Sequence, residues 1–130
     1  MKTVLVLTLA AVCLGCGGYG SSSKPNTPSA GTMPNISALV PNSVTANSAA
    51  FVLTVNGTSF SNNAQVKWNG TAQTTSFVTG SQLTINVPTS MVATPGMVQV
   101  TVTNPATTTG GLYGAGTTAQ TSTAMTFTIN

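Results

Sequence analysis

From about residue 34 onward, apolar side chains recur at every second position in short runs. Phe51, Leu53 and Val55 alternate with Val52 and Thr54, and Leu83, Ile85 and Val87 with Thr84 and Asn86. Val98, Val100 and Val102 alternate with Gln99 and Thr101, and Met125, Phe127 and Ile129 with Thr126 and Thr128. A period of two puts one face of an extended chain on a core and the other in water. Val and Thr dominate these runs, and both favour the pleated conformation. Turn-forming pairs punctuate the runs at Asn56-Gly57, Asn69-Gly70, Gly80-Ser81, Pro95-Gly96 and Asn104-Pro105, with a further break at Pro88. No amphipathic helical run of any length is present. The pattern predicts an all-β domain, an antiparallel β-sandwich.

The charge content limits the chemistry such a domain can perform. The chain has no Asp, Glu or His, and its net charge of +3 comes from Lys2, Lys24 and Lys67 alone. Binding to nucleic acid needs clustered cations to displace phosphate counterions, so no nucleic-acid partner is expected. General acid–base catalysis draws chiefly on carboxylates and imidazoles, and these are missing. A Ser–Lys pair is the one formal route left, and no S-x-x-K leads into Lys67, which follows Ala64-Gln65-Val66. Zinc and calcium sites want the same missing ligands. The expectation is a non-enzyme with no metal and no cofactor.

The N-terminus carries a different signal. Lys2 is followed by an apolar run from Val4 to Leu14 and then by Gly15 and Cys16. A short positive start, a 7–15-residue apolar centre and a small residue make the layout of a secretory signal, and the run is shorter than the ~20 residues of a spanning helix. Leu14-Gly15-Cys16 resembles the lipobox of bacterial lipoproteins, in which cleavage falls between Gly15 and Cys16 and the cysteine receives a diacylglyceryl group. One position departs, because Cys13 stands where that motif usually has leucine. The resemblance implies a signal peptide over 1–15, lipid attachment at Cys16 and a membrane partner reached through the acyl anchor. It places the protein in the bacterial cell envelope. Gly17 rather than Asp after Cys16 points by the same resemblance to the outer membrane or cell surface. Residues 16–33, rich in Gly, Ser and Pro, read as a tether.

The domain itself resembles the IPT/TIG family, immunoglobulin-like modules of plexins, some transcription factors and many bacterial surface proteins. The residues that carry the likeness are Ile36-Ser37-Ala38-Leu39-Val40-Pro41, Leu53-Thr54-Val55-Asn56-Gly57-Thr58-Ser59-Phe60 and Val66-Lys67-Trp68-Asn69-Gly70. Leu83 to Pro88, Gly96 to Pro105 and Thr126 to Ile129 follow in order, so the likeness spans 34–130. It implies an immunoglobulin-like sandwich that serves as an interaction or structural module, with an envelope protein or a glycan as partner. The stretch from 104 to 123 is longer than the pattern calls for.

Three residues are candidate ligand contacts. Trp68, the only tryptophan, reads first as the inward residue of the third strand and second as a sugar-stacking platform beside Lys67. Tyr113 stands at a glycine-flanked tip in the 104–123 stretch, which reads as a ligand-contacting loop or, more plainly, as a floppy Thr/Gly-rich excursion or an extended hairpin. With Tyr19 these aromatics define the alternative function, a carbohydrate-binding module. Gly114-Ala115-Gly116-Thr117-Thr118-Ala119 matches G-x-G-x-x-A by chance, since no acid follows it and no helix is expected. The triplets Asn35-Ile36-Ser37, Asn56-Gly57-Thr58 and Asn69-Gly70-Thr71 fit a glycosylation sequon but read as turn chemistry. Edge strands without lysines leave self-association through sheet edges open.

A domain without Asp, Glu or His lacks the groups that ordinarily make stability depend on pH. Its urea midpoint is expected to stay level between roughly pH 5 and pH 9. A marked shift within that window would contradict the expectation.

Overall fold

A computed structural model describes residues 29–108 and 116–130. In chain order the strands are β1 (Ser29–Ala30), β2 (Asn35–Val40), β3 (Ser43–Val44), β4 (Phe51–Thr58), β5 (Gln65–Trp68) and β6 (Thr71–Ala72). After these come β7 (Thr75–Thr79), β8 (Gln82–Val87), β9 (Gly96–Asn104), β10 (Thr117–Thr118), β11 (Gln120–Thr121) and β12 (Met125–Ile129). One short 3-10 turn, Thr89–Val92, is the single helical element among the described residues. The described residues form an immunoglobulin-like β-sandwich.

One sheet has the order β2-β4-β8-β7, antiparallel throughout. The other runs β3-β12-β9-β5-β6, antiparallel except where β3 lies parallel to β12. Each run of alternating residues sends its apolar members inward. Leu53, Val55, Leu83, Ile85 and Val87 from the first sheet are buried against Val66, Trp68, Val98, Val100, Val102, Phe127 and Ile129 from the second. Aromatic rings join the layers: Phe127 packs 5.0 Å from Trp68 and 5.9 Å from Phe51 of the opposite sheet. Such pairs add about 0.5–1.5 kcal/mol beyond their buried area.

Most turn signals fall between strands. Asn69 (φ 50°) and Gly70 (φ 85°) form the left-handed two-residue turn from β5 to β6. Gly80-Ser81 joins β7 to β8. Asn56-Gly57 does not turn; it lies inside β4. The glycine is needed for close approach, because a Cβ at Gly57 would strike the Asn35 carbonyl and the Phe60 ring. The bend comes two residues later at Ser59, with φ 61°.

Where the ladders stop, neutral side chains take over. Asn104, buried at the end of β9, donates from Nδ2 to the carbonyls of Thr32 and Ser59, each at 2.8 Å. Its Oδ1 accepts the Ser61 amide at 3.0 Å, so the carboxamide uses both N–H groups and its oxygen. Between β11 and β12, the buried Ser122 accepts the Val102 amide on Oγ at 3.0 Å and donates to the Thr123 carbonyl. Thr75, on the first sheet, accepts the Val66 amide of the second at 2.9 Å.

The long 104–123 stretch is a hairpin arm at its described base. Thr107 and Thr117 bridge, and β11 pairs with the end of β9. The last part of the expected tether is paired as well. β1 lies parallel to β10, and Gly31 passes so close under Thr118 that a Cβ there would meet its carbonyl.

Asn104→Ala is expected to lower unfolding stability by about 2–4 kcal/mol, since it strips three partners at once. Urea denaturation with an unchanged slope checks this. A loss well under 1 kcal/mol would mean that water replaces the carboxamide freely.

Candidate functional site

The two ends of the sandwich differ. At one end Asn104 gathers the incoming chain, the Ser59–Ser61 bend and the base of the arm. At the other, the β5–β6 turn faces the connection from β8 to β9, and a cleft of about 610 Å³ opens between them.

Local sequence explains how this cleft is held open. Pro88 ends β8, and the 3-10 turn that follows anchors itself through the buried Val92, whose carbonyl accepts the Asn47 amide at 2.9 Å. Pro95-Gly96 then starts β9, leaving Met97 on the outward phase of the alternation that buries Val98. Met97 is 76% exposed, the most exposed of the large apolar side chains among the described residues. Met91, Val98 and Ile129 line the cleft with one margin of Trp68, while Met97 and Asn69 stand among the other lining residues. No lining residue carries a charge. The surface offers thioether and aliphatic contacts with neutral hydroxyls and amides around them, suited to binding without proton transfer.

Trp68 is buried to 6% exposure with its ring tilted 54° against Phe127. Only a margin reaches the cleft, so it does not present a face on which a sugar ring could stack. Lys67 sits half-buried on β5 between Ala72 and Thr101 and does not line the cleft. The structure therefore separates two residues that the sequence placed side by side. Gly15, Cys16, Tyr19 and Tyr113 lie outside the described residues. In the described part of the G-x-G-x-x-A match, Gly116 leads into the strand Thr117–Thr118 and not into a helix, the wrong geometry for a dinucleotide fingerprint. Among the described residues no three His, Cys, Asp or Glu side chains converge as a metal site would require.

Met91 and Met97 were missed as cleft residues. The alternation in β9 carried a signal for Met97, because Val98 inward forces its neighbour outward. Nothing local placed Met91 and Ile129 beside it.

A family model described as the IPT/TIG domain matches residues 34–129. The chain belongs to the IPT/TIG domain family. No curated protein matches it. Membership agrees with the two-sheet architecture, and IPT/TIG domains are generally non-catalytic interaction or structural modules. This IPT/TIG domain keeps a core tryptophan on its third long strand with no disulfide behind it, since both cysteines, Cys13 and Cys16, precede the matched residues. Its interior is held by packing, with neutral side-chain hydrogen bonds closing the periphery.

Trp68→Ala should cost about 3–5 kcal/mol of stability, as expected for an aromatic deleted from a packed core. In the unaltered protein the tryptophan emission is expected blue-shifted and resistant to a soluble quencher. Red, readily quenched emission would place the ring in solvent.

Proposed function

We propose that the protein is a lipid-anchored, non-catalytic component of a bacterial cell envelope that holds an IPT/TIG interaction module away from the membrane. In this reading residues 1–15 are removed as a signal, Cys16 carries the lipid, 16–33 form the tether and 34–130 the domain. The leader pattern and Leu14-Gly15-Cys16 support it. Two acyl chains give stable anchoring where one gives only marginal binding. No helix among the described residues is long and apolar enough to cross a membrane. Gly17 after Cys16 favours the outer membrane or the cell surface as the destination.

The observation that carries the presentation role is the placement of the two ends. The tether arrives beside Asn104 and the cleft opens beside Gly96, at opposite ends of β9. At an antiparallel rise of about 3.4 Å per residue, those ends stand roughly 27 Å apart. An anchored chain would thus turn its neutral, Met-lined cleft away from the lipid, toward an envelope protein.

Self-association belongs to the same reading, and the sheet edges differ in fitness for it. β3 and β6 are two residues long, and β2 lies between Pro34 and Pro41 with a register shift between Ile36 and Ala38. β7 has five residues with no proline and no charge, and Phe77 and Val78 on it are exposed. A register shift between Phe77 and Thr79 is its one safeguard against pairing.

Mass spectrometry of the mature N-terminus tests the anchoring, with Cys16→Ser as control. Cleavage before Cys16 with a diacylglyceryl adduct, lost in Cys16→Ser together with membrane partitioning, is expected. An intact thiol at Cys16, or cleavage elsewhere, would overturn it. For the edge, Val78→Lys should remove concentration dependence from sedimentation of the protein. Unchanged dependence would assign association to another surface.

A further inference from the structure

The chain contains two Asn-Gly pairs, Asn56-Gly57 and Asn69-Gly70, and the fold gives them opposite surroundings. Asn-Gly is the dipeptide most open to intramolecular deamidation. The glycine backbone nitrogen attacks the asparagine side-chain carbonyl carbon, a C–N bond forms, and ammonia leaves with the former amide nitrogen. Water then opens the cyclic imide at either carbonyl, giving aspartate or isoaspartate and releasing a proton. The step needs no enzyme, metal or oxidant. It needs a glycine nitrogen free of hydrogen bonds and a backbone that can rotate.

Neither condition holds at Asn56-Gly57. This pair lies in β4, between β2 and β8, and Gly57 is buried. The Gly57 nitrogen donates to the Ser81 carbonyl at 2.9 Å, and the space where a Cβ would stand is filled by Asn35 and Phe60. Freeing the nitrogen means unpairing a central strand.

Both conditions are within reach at Asn69-Gly70. The two residues are exposed at the tip of the β5–β6 turn, and a Cβ built on Gly70 would meet nothing within 4 Å beyond its own residue and its chain neighbours. Among the described residues the Gly70 nitrogen has no hydrogen-bond partner. Asn69 must leave its left-handed conformation, φ 50°, before the ring can close. The turn is closed on its far side by β6 alone, two exposed residues long, and a tip of that kind opens locally without unfolding the domain.

We propose that Asn69 is a site of spontaneous deamidation that gives this protein its first side-chain carboxylate, at the rim of the cleft. Asn69 is one of the cleft's lining residues. Lys67 is the sole charged side chain in 29–130, so that region goes from a formal +1 to (+1 − 1) = 0. The cleft, neutral when the chain is made, acquires a negative charge with age. That charge favours a partner bearing a cation at the contact and disfavours one bearing an anion. The isoaspartyl product also adds a backbone methylene and so lengthens a two-residue turn whose register is set by the Trp68–Thr71 pair.

The full chain is aged, folded, in mildly alkaline buffer, and its peptides are followed by mass spectrometry, with a second sample aged in urea. Conversion at Asn69 is expected at least about ten-fold faster than at Asn56 in the folded protein, because only the tip opens locally. In urea the two rates should converge. An acidic band on isoelectric focusing should grow in step with the Asn69 products and fail to appear in Asn69→Gln. Asn69→Asp should reproduce the band from the start while keeping the turn. Equal rates in the folded protein, faster conversion at Asn56, or conversion of Asn69 only in urea would each overturn the proposal.

Discussion

Phe127 lies between Trp68 of its own sheet and Phe51 of the opposite one, and the rest of the sandwich is assembled around that contact. Among the described residues seventeen apolar side chains are buried in one continuous cluster. The chain has no Asp or Glu side chain with which a lysine could form an ion pair. The described residues contain no cysteine to cross-link the sheets. Apolar burial and dispersion must therefore supply the cohesion, offset chiefly by chain entropy. This explains why the inward positions are so uniformly Val, Leu, Ile and aromatic. The alternation tolerates no polar side chain facing the middle of the core.

The periphery follows a complementary rule. A sandwich exposes unpaired backbone groups wherever a strand ends or a chain crosses between sheets, and each buried one must be satisfied. Charged caps are not available here, so neutral side chains serve. Thr75 bridges to β5 where the chain passes from the second sheet to the first. Ser122 fills the gap between β11 and β12, and Asn104 ties the incoming chain and the Ser59–Ser61 bend to the end of β9. All three residues are of types abundant on the surface of this chain, which is why composition gives no hint of their position.

Much of the fold was legible because alternation is a local signal. The four runs from β4, β8, β9 and β12 fall where the period of two placed them, with their inward members buried. The Asn69-Gly70 turn was legible for the same reason. Asn56-Gly57 misled, because glycine marks close approach as well as turning, and the Asn35 carbonyl that demands it lies on the separate strand β2. The site was less legible. Trp68 was readable as an inward residue, whereas the cleft joins Trp68, Met91, Met97 and Ile129 from four separate segments. Only the packed sandwich brings those segments together. Asn104 read as part of a turn, and its role as a three-way tie depends on Thr32, 72 residues away in sequence.

The claim most open to direct measurement is that neutral side-chain hydrogen bonds complete the sandwich as firmly as the ladders do. Native-state amide hydrogen exchange tests it at Ser61, Val66 and Val102, whose amides are held by Asn104, Thr75 and Ser122. Opening free energies at these three amides are expected within about 1 kcal/mol of those at the centre of β9, in one cooperative unit. Exchange at the rate of freely exposed loop amides would contradict the account.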